Sequence, residues 1–213
     1  MFNVVLATKN QGKVREVKEV LGADAHVITM ADAGLGDLEI DETGTTFEEN
    51  SFIKASAVME ALPEDFPCHL VMADDSGLEI DYFDRAPGIY SSRWLGEDTP
   101  YEQKNAIVLE RLKDVPDEDR TARYVCSVVA LLKRDGAEPL QIIATETAEG
   151  MIAHEPAGHG GFGYDPIFYF PEYGKTFAEL TPDEKNAVSH RGKALREVEA
   201  ALRNEGALPG ELL

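Results

Sequence analysis

Leu70-Val71-Met72-Ala73-Asp74-Asp75-Ser76-Gly77-Leu78-Glu79-Ile80-Asp81 is an apolar run that stops on two adjacent carboxylates. The run predicts a buried strand over Leu70 to Ala73, and the alternation from Leu78 to Phe83 predicts a second strand, with Ser76-Gly77 as the turn of a hairpin. Charged groups are almost never fully buried unless they are paired or bound to a cation. Asp74-Asp75 at the mouth of a buried strand therefore reads as a site for a hard cation, for an activated water, or for both. The other reading is a plain turn, because Asp, Ser and Gly all form turns. Adjacent strand residues point to opposite faces, so the two carboxylates are not expected to be equivalent. The same alternation disfavours a glycosidase pair flanking one bond.

The chain has 213 residues, 43% of them hydrophobic, which suits one large domain or two joined lobes. A formal net charge of −20 arises from 40 acidic and 20 basic residues. Such a surface repels duplex nucleic acid and anionic membrane, so neither is expected as a partner. A small anionic ligand remains open if the few cations are gathered in one place. Two cysteines, Cys68 and Cys126, make no disulfide framework. No stretch has spanning length and no signal segment precedes the first strand, so a cytoplasmic protein is expected.

Phe2 to Ala7 predicts a strand, and Val14, Val17, Val20 and Leu21 a helix stopped by Gly22. Between them lie Thr8-Lys9-Asn10-Gln11-Gly12-Lys13. That turn's N–H groups, the helix N-terminus and two lysines make a natural phosphate seat, although the Walker glycines are missing. His26 to Met30 predicts a strand, and residues 32–45 an acidic loop. Thr46-Phe47-Glu48-Glu49 forms a capping box opening a helix that runs to about Leu62. Asn50 and Lys54 share one face of that helix. They read either as part of a solvated face or as part of a functional edge, with Glu42 and Glu49 near a metal and Lys54 near a phosphate.

Thr99-Pro100-Tyr101-Glu102 predicts a second capping box, with a helix ending near Pro116. Ala122 to Lys133 reads as a long strand, turned at Asp135-Gly136 into Leu140 to Thr147, and a short strand follows around Gly150 to Ala153. Gly158-His159-Gly160-Gly161-Phe162-Gly163-Tyr164-Asp165 is rich in glycine, which suits close approach of backbone to a ligand, with Phe162 as a stacking face. Thr181-Pro182-Asp183-Glu184 is a third capping box. A last helix carries Leu195, Val198 and Leu202, and the tail after Asn204 is peripheral. Lys185, His190 and Arg191 lie near helix starts, where positive charge is disfavoured unless an anion sits among them.

In this order the motifs resemble the inosine/xanthosine triphosphate pyrophosphatase family. The resemblance covers residues 3 to about 203. It rests on Leu6 to Lys13, Glu42-Thr43-Gly44 with Thr46 to Asn50 and Lys54-Ala55, Ala73 to Leu78, Gly161 to Phe168, and Glu179-Leu180-Thr181 with Lys185-Asn186 and Ser189-His190-Arg191. Lys9 departs from the glycine or serine found in other members.

The resemblance implies an α/β fold: a long twisted mixed sheet flanked by helices, two lobes in a single domain over 1–213, and a nucleotide groove between the lobes. It implies a homodimer, magnesium dependence, and hydrolysis of inosine, deoxyinosine and xanthosine triphosphates to monophosphate and pyrophosphate, which clears damaged purines from the nucleotide pool. On it, Asp75 is the general base and a metal ligand, Glu42 is the second metal ligand, and Asp74 and Glu49 are supporting. Thr8, Lys9, Asn10, Gln11, Gly12 and Lys13 hold phosphate and ribose, Lys13, Lys54, Lys185 and Arg191 supply cations for the triphosphate, and Ser76 is substrate-binding. Phe162 stacks on the base, and Gly163, Tyr164, Asp165, His190 and Arg191 shape recognition of its edge.

Overall fold

The computed structural model describes residues 1–134 and 136–208. Strand β1 (Phe2–Leu6) leads into helix α1 (Gln11–Leu21) and back into β2 (Ala25–Thr29); α2 (Phe47–Ala61) follows. The chain then continues through β3 (Leu70–Ile80), α3 (Tyr101–Arg111), β4 (Thr121–Arg134), β5 (Ala137–Ile152), β6 (Phe168–Phe170) and β7 (Lys175–Thr176), and ends in α4 (Pro182–Val188) and α5 (His190–Asn204). The strands hydrogen-bond in the order β2-β1-β3-β4-β5-β6-β7. β1 lies parallel to both β2 and β3, whereas β6 is antiparallel to β5 and β7. This is the expected mixed α/β sheet with flanking helices.

The described residues form two compact units. Unit 1 comprises the described residues of Met1–Asp75, Cys126–Glu146 and 191–208, with a core that includes Val4, Val5, Val71, Val129, Leu195 and Val198. Unit 2 comprises Ser76–Val125 and Thr147–His190, with its own core around Leu78, Ile80, Val108, Leu112, Phe168 and Phe177. In unit 2 the buried Arg120 ties three carbonyls, those of Leu112, Ile152 and Ala153.

Most expected elements form. α1 ends at Gly22, whose φ of 59° suits a residue without a Cβ. The Thr181 capping box closes on both sides, and a similar one at Thr176 and Glu179 has too short a helix behind it to show as periodicity. At Thr46 the box is half made: Thr46 Oγ1 accepts from Glu49 N, but Glu49 reaches back to Thr45 N and Oγ1. At Thr99 no box forms, because the hydroxyl donates to the Leu95 carbonyl (2.7 Å) and Pro100 opens the helix. The segments expected as Leu140 to Thr147 and Gly150 to Ala153 are one strand. Gly136 takes the left-handed φ of 68° that the hairpin turn asks for, while its neighbour Asp135 and the tail from Pro209 lie outside the described residues.

The expected hairpin at Ser76-Gly77 does not exist. β3 runs unbroken from Leu70 to Ile80, straight through both aspartates and the glycine. Gly77 answers crowding instead of a turn. A Cβ there would lie 2.2 Å from the Gly88 carbonyl oxygen and 2.5 Å from Ser91 Oγ. Ser91 Oγ donates to that carbonyl (2.6 Å) and accepts from Leu78 N (2.9 Å), so the obstacle is fixed on both sides. Gly77→Ala is therefore expected to lower stability by about 1–3 kcal/mol, the usual cost of overpacking. Thermal denaturation should show a fall in Tm of several degrees; an unchanged Tm would mean the loop at Gly88 yields freely.

Candidate functional site

β3 delivers Asp74 and Asp75 into unit 1, and both are nearly sealed from solvent, at 1% and 7% exposure. Their partners differ, as strand alternation requires. Asp74 Oδ2 accepts from Lys13 Nζ (3.0 Å), Arg191 Nη2 (3.1 Å) and Arg191 Nε (3.2 Å). Arg191 Nη1 is also bonded to Glu16 Oε2, and Lys13 Nζ reaches the Asp74 carbonyl (3.2 Å). Burial alone would raise the Asp74 carboxyl, but Lys13 and Arg191 outweigh it and hold the group well below the usual carboxylate range. Arg191, 2% exposed, is raised further by the same anions against the pull of burial. The anion that justifies a cation at the start of α5 is thus internal: Asp74 and Glu16.

Asp75 faces α2. Asn50 Nδ2 donates to Oδ2 (3.2 Å) and Lys54 Nζ to Oδ1 (3.3 Å). Lys54 also meets Glu42 Oε2 at 3.2 Å. Asn50 in turn accepts from Gly44 N (2.9 Å), and a Cβ on Gly44 would lie 2.7 Å from Asn50 Oδ1, so the Glu42-Thr43-Gly44 segment packs directly on the helix start. Burial raises the Asp75 carboxyl above its ordinary value, with Glu42 adding to the rise and Lys54 opposing it. For Lys54, burial lowers the ammonium, but Asp75, Asp74 and Glu42 outweigh it, so the lysine stays charged. The Glu42 and Asp75 carboxylates both meet the Lys54 ammonium, and a pair of hard oxygen donors around one cation is the kind of set a magnesium ion takes, completing its shell with water and substrate phosphates. Among the described residues no group of three or more His, Cys, Asp or Glu side chains stands arranged for a metal.

The first loop is more self-contained than its sequence suggests. Asn10 Oδ1 caps α1 by accepting from Gly12 N (2.9 Å) and Lys13 N (3.2 Å). Thr8 Oγ1 accepts from Asn10 N, and Gln11 Nε2 makes a long contact with the Lys9 carbonyl. Lys9 forms an exposed ion pair with Glu39 (2.8 Å), a kind of contact that contributes little. Glu49 is turned toward Thr45, not toward Asp75.

In unit 2 the glycine run folds around Asp165, which is 2% exposed. Asp165 Oδ2 accepts from Lys185 Nζ (2.6 Å) and from Phe162 N (2.7 Å). Gly161, at φ 69°, has no room for a Cβ, which would lie 2.0 Å from that oxygen. The Lys185 ammonium lies 5.2 Å from the centre of the Phe162 ring, a cation–π distance. The Tyr164 hydroxyl donates to the Ser91 carbonyl (2.9 Å), so this residue anchors the loop from inside. His190 stacks on Tyr124 with ring centres 4.6 Å apart and 7° between planes. Ser76 is half-buried on β3.

The residues match a known pattern along their whole length. The Ham1 family profile matches residues 4–201. The chain belongs to the Ham1 family. The dITP/XTP pyrophosphatase of Escherichia coli K12 is 48% identical over 206 residues, 96% of this chain and 100% of that protein. The dITP/XTP pyrophosphatase of Clostridium perfringens is 45% identical over 208 residues, 95% and 98% of the two chains. Among solved structures, the Ham1 protein of Staphylococcus aureus superposes with a TM-score of 0.79 at 37% identity, covering 95% of this chain and 99% of its own. A Ham1 protein from Coxiella burnetii gives 0.79 at 38%, covering 96% and 100%.

Two buried polar residues of this Ham1 chain lie outside the motifs, one in each unit. Glu16 lies three positions after Lys13 and beside Val17 on the buried stripe of α1, so helical spacing does flag an acid on an apolar face. Asn105 on α3 carries no such signal. Removing one partner of a buried ion pair leaves an uncompensated charge and costs about 3–5 kcal/mol. Arg191→Met is therefore expected to lose stability of that order in urea denaturation at neutral pH. Because the Asp74 carboxyl is depressed when folded, its contribution is present above its ordinary pKa and lost as pH falls. The gap between wild type and variant should narrow in acid, and a gap independent of pH would exclude Asp74 as the partner that matters.

Proposed function

We propose that this protein hydrolyses non-canonical purine nucleoside triphosphates, deoxyinosine and xanthosine triphosphates together with inosine triphosphate, to the monophosphate and pyrophosphate. Its relatives' names and full-length similarity support the reaction class. The observation that carries the chemistry is the charge arrangement of unit 1. Four carboxylates, Glu16, Glu42, Asp74 and Asp75, meet three cations, Lys13, Lys54 and Arg191. The cluster is net negative and so is poorly suited to a triphosphate by itself. A divalent cation reverses the sign.

Glu42 and Asp75 are the residues that would hold magnesium, which when bound neutralises charge developing on the phosphate oxygens. The chain's own groups divide the remaining work. Water adds at phosphorus, the α–β anhydride P–O bond breaks, pyrophosphate leaves, and Asp75 accepts the water's proton. Asp75, held by Asn50 and Lys54 beside Glu42, is placed to take that proton. Asn50 fixes the orientation of Asp75, and Lys54 lies where a phosphate oxygen can take over its contact with Glu42. Lys13 is held near the strand by Asp74. Phe162, propped by the Asp165 bond to its N–H, offers a stacking face for the purine. A pocket that hydrogen-bonds a 6-oxo group leaves buried polar groups unpaired with adenine, which is the basis for rejecting the normal nucleotide. A homodimer, cytoplasmic location and clearance of the nucleotide pool belong to the same proposal.

Purified protein with magnesium should release pyrophosphate, and no orthophosphate, from deoxyinosine and xanthosine triphosphates, and much less from ATP. Chelation should stop the reaction and added magnesium restore it. Asp75→Asn should lower kcat by about 10²–10⁴-fold, the usual contribution of a positioned base, with the Tm retained. Orthophosphate as product, or full activity in Asp75→Asn, would sink the mechanism.

A further inference from the structure

Asn105 sits four residues after Tyr101 on α3, so both side chains lie on one helix face. That face meets the glycine run at consecutive residues. The Tyr101 ring packs edge-on against Tyr164, with centres 5.2 Å apart and planes at 88°. Asn105 Nδ2 donates to the Gly163 carbonyl (3.2 Å). The partner is a carbonyl, which only accepts, so the amide orientation is fixed. Phe162 is therefore bracketed: its own N–H is taken by Asp165, and the carbonyl of the next residue by Asn105. Gly163 has φ 70°, a conformation that leaves the following peptide without the restraint of a regular element and makes a side-chain clamp useful.

The clamp is kept at a disadvantage to the fold. Asn105 is 6% exposed, and its Oδ1 is buried with no hydrogen-bond partner among the described residues. Leaving a buried acceptor unsatisfied is unfavourable. A leucine would remove that orphan oxygen but would also leave the Gly163 carbonyl without its donor, so the amide is explained by the bond it makes and not by the space it fills. Among the described residues, the one hydrogen bond the amide makes is to the loop that carries Phe162.

We propose that Asn105 is a positioning residue that fixes the Phe162-Gly163 backbone, so that the aromatic ring stands ready for the base. This rests on the assignment of Phe162 to base stacking. It extends the functional machinery to α3, outside every motif by which the chain is recognised.

Two variants separate positioning from packing. Asn105→Leu keeps the shape and removes both polar atoms; Asn105→Asp keeps the shape and turns the donor into an acceptor facing a carbonyl. For Asn105→Leu, KM for deoxyinosine triphosphate should rise about tenfold, the worth of one well-formed hydrogen bond, with kcat held and only a small fall in Tm from the carbonyl left behind. Inhibition by inorganic tripolyphosphate, which has no base to stack, should not change. Asn105→Asp should raise KM at least as much. Amide hydrogen exchange should quicken at residues 162–164 in both variants and not elsewhere. An unchanged KM with unchanged exchange overturns the proposal. So does a KM that rises in step with the tripolyphosphate inhibition constant, because the defect is then not at the base. If the wild type does not turn over deoxyinosine triphosphate, the functional reading fails separately, and the exchange comparison, which needs no turnover, decides the role of Asn105.

Discussion

A carboxylate at 1% exposure in the middle of a strand is tolerable only if cations are built around it. Asp74 has two, Lys13 from α1 and Arg191 from the first turn of α5, and Arg191 brings Glu16 with it. Much of unit 1 is arranged to satisfy this need. The start of α1 must present Lys13 and, one turn on, Glu16. The α5 helix must begin where its second residue can reach β3. Buried ion pairs give little net stability compared with apolar packing, but they are unforgiving of displacement. The network thus acts as a register lock on three elements.

That lock leaves Asp75 free of the same duty. The neighbouring carboxylates are sorted by strand alternation into a structural group, held low by two cations, and a group pushed up by burial beside Glu42, Lys54 and Asn50. One peptide bond separates an anchor from a carboxyl of opposite character. Exchanging their roles would require moving the cations, not the aspartates.

Much of this was legible in the sequence. Apolar runs and stops placed β1, α1, α2, β4 and α5 to within a residue or two, and the paired aspartates stood out because nothing apolar explains them. Gly77 misled because Ser-Gly is a turn signal locally, and only the Gly88 carbonyl, eleven positions away, shows that it fills a tight gap in a continuous strand. Thr99 looked like a cap because the spacing fits, but the Leu95 carbonyl competes for its hydroxyl. Arg191 and Lys185 read correctly as cations needing anions, yet the anions are Asp74, Glu16 and Asp165 of the same chain, which spacing cannot pair. Asn105 was invisible, since an amide on a helix says nothing about which carbonyl it will meet.

Arg191 lies 117 residues after Asp74 and 175 after Glu16. A ribosome releases Leu70-Val71-Met72-Ala73 long before it releases the arginine that completes the network. Throughout that interval an apolar, strand-forming tetrapeptide is exposed on an unfinished chain, the kind of segment that recruits other chains into aggregates. Asp74 and Asp75 end it with two hydrated negative charges. Charges beside an apolar run limit its association with other chains, so the carboxylate that Lys13 and Arg191 anchor in the fold also guards its own strand before the fold is complete.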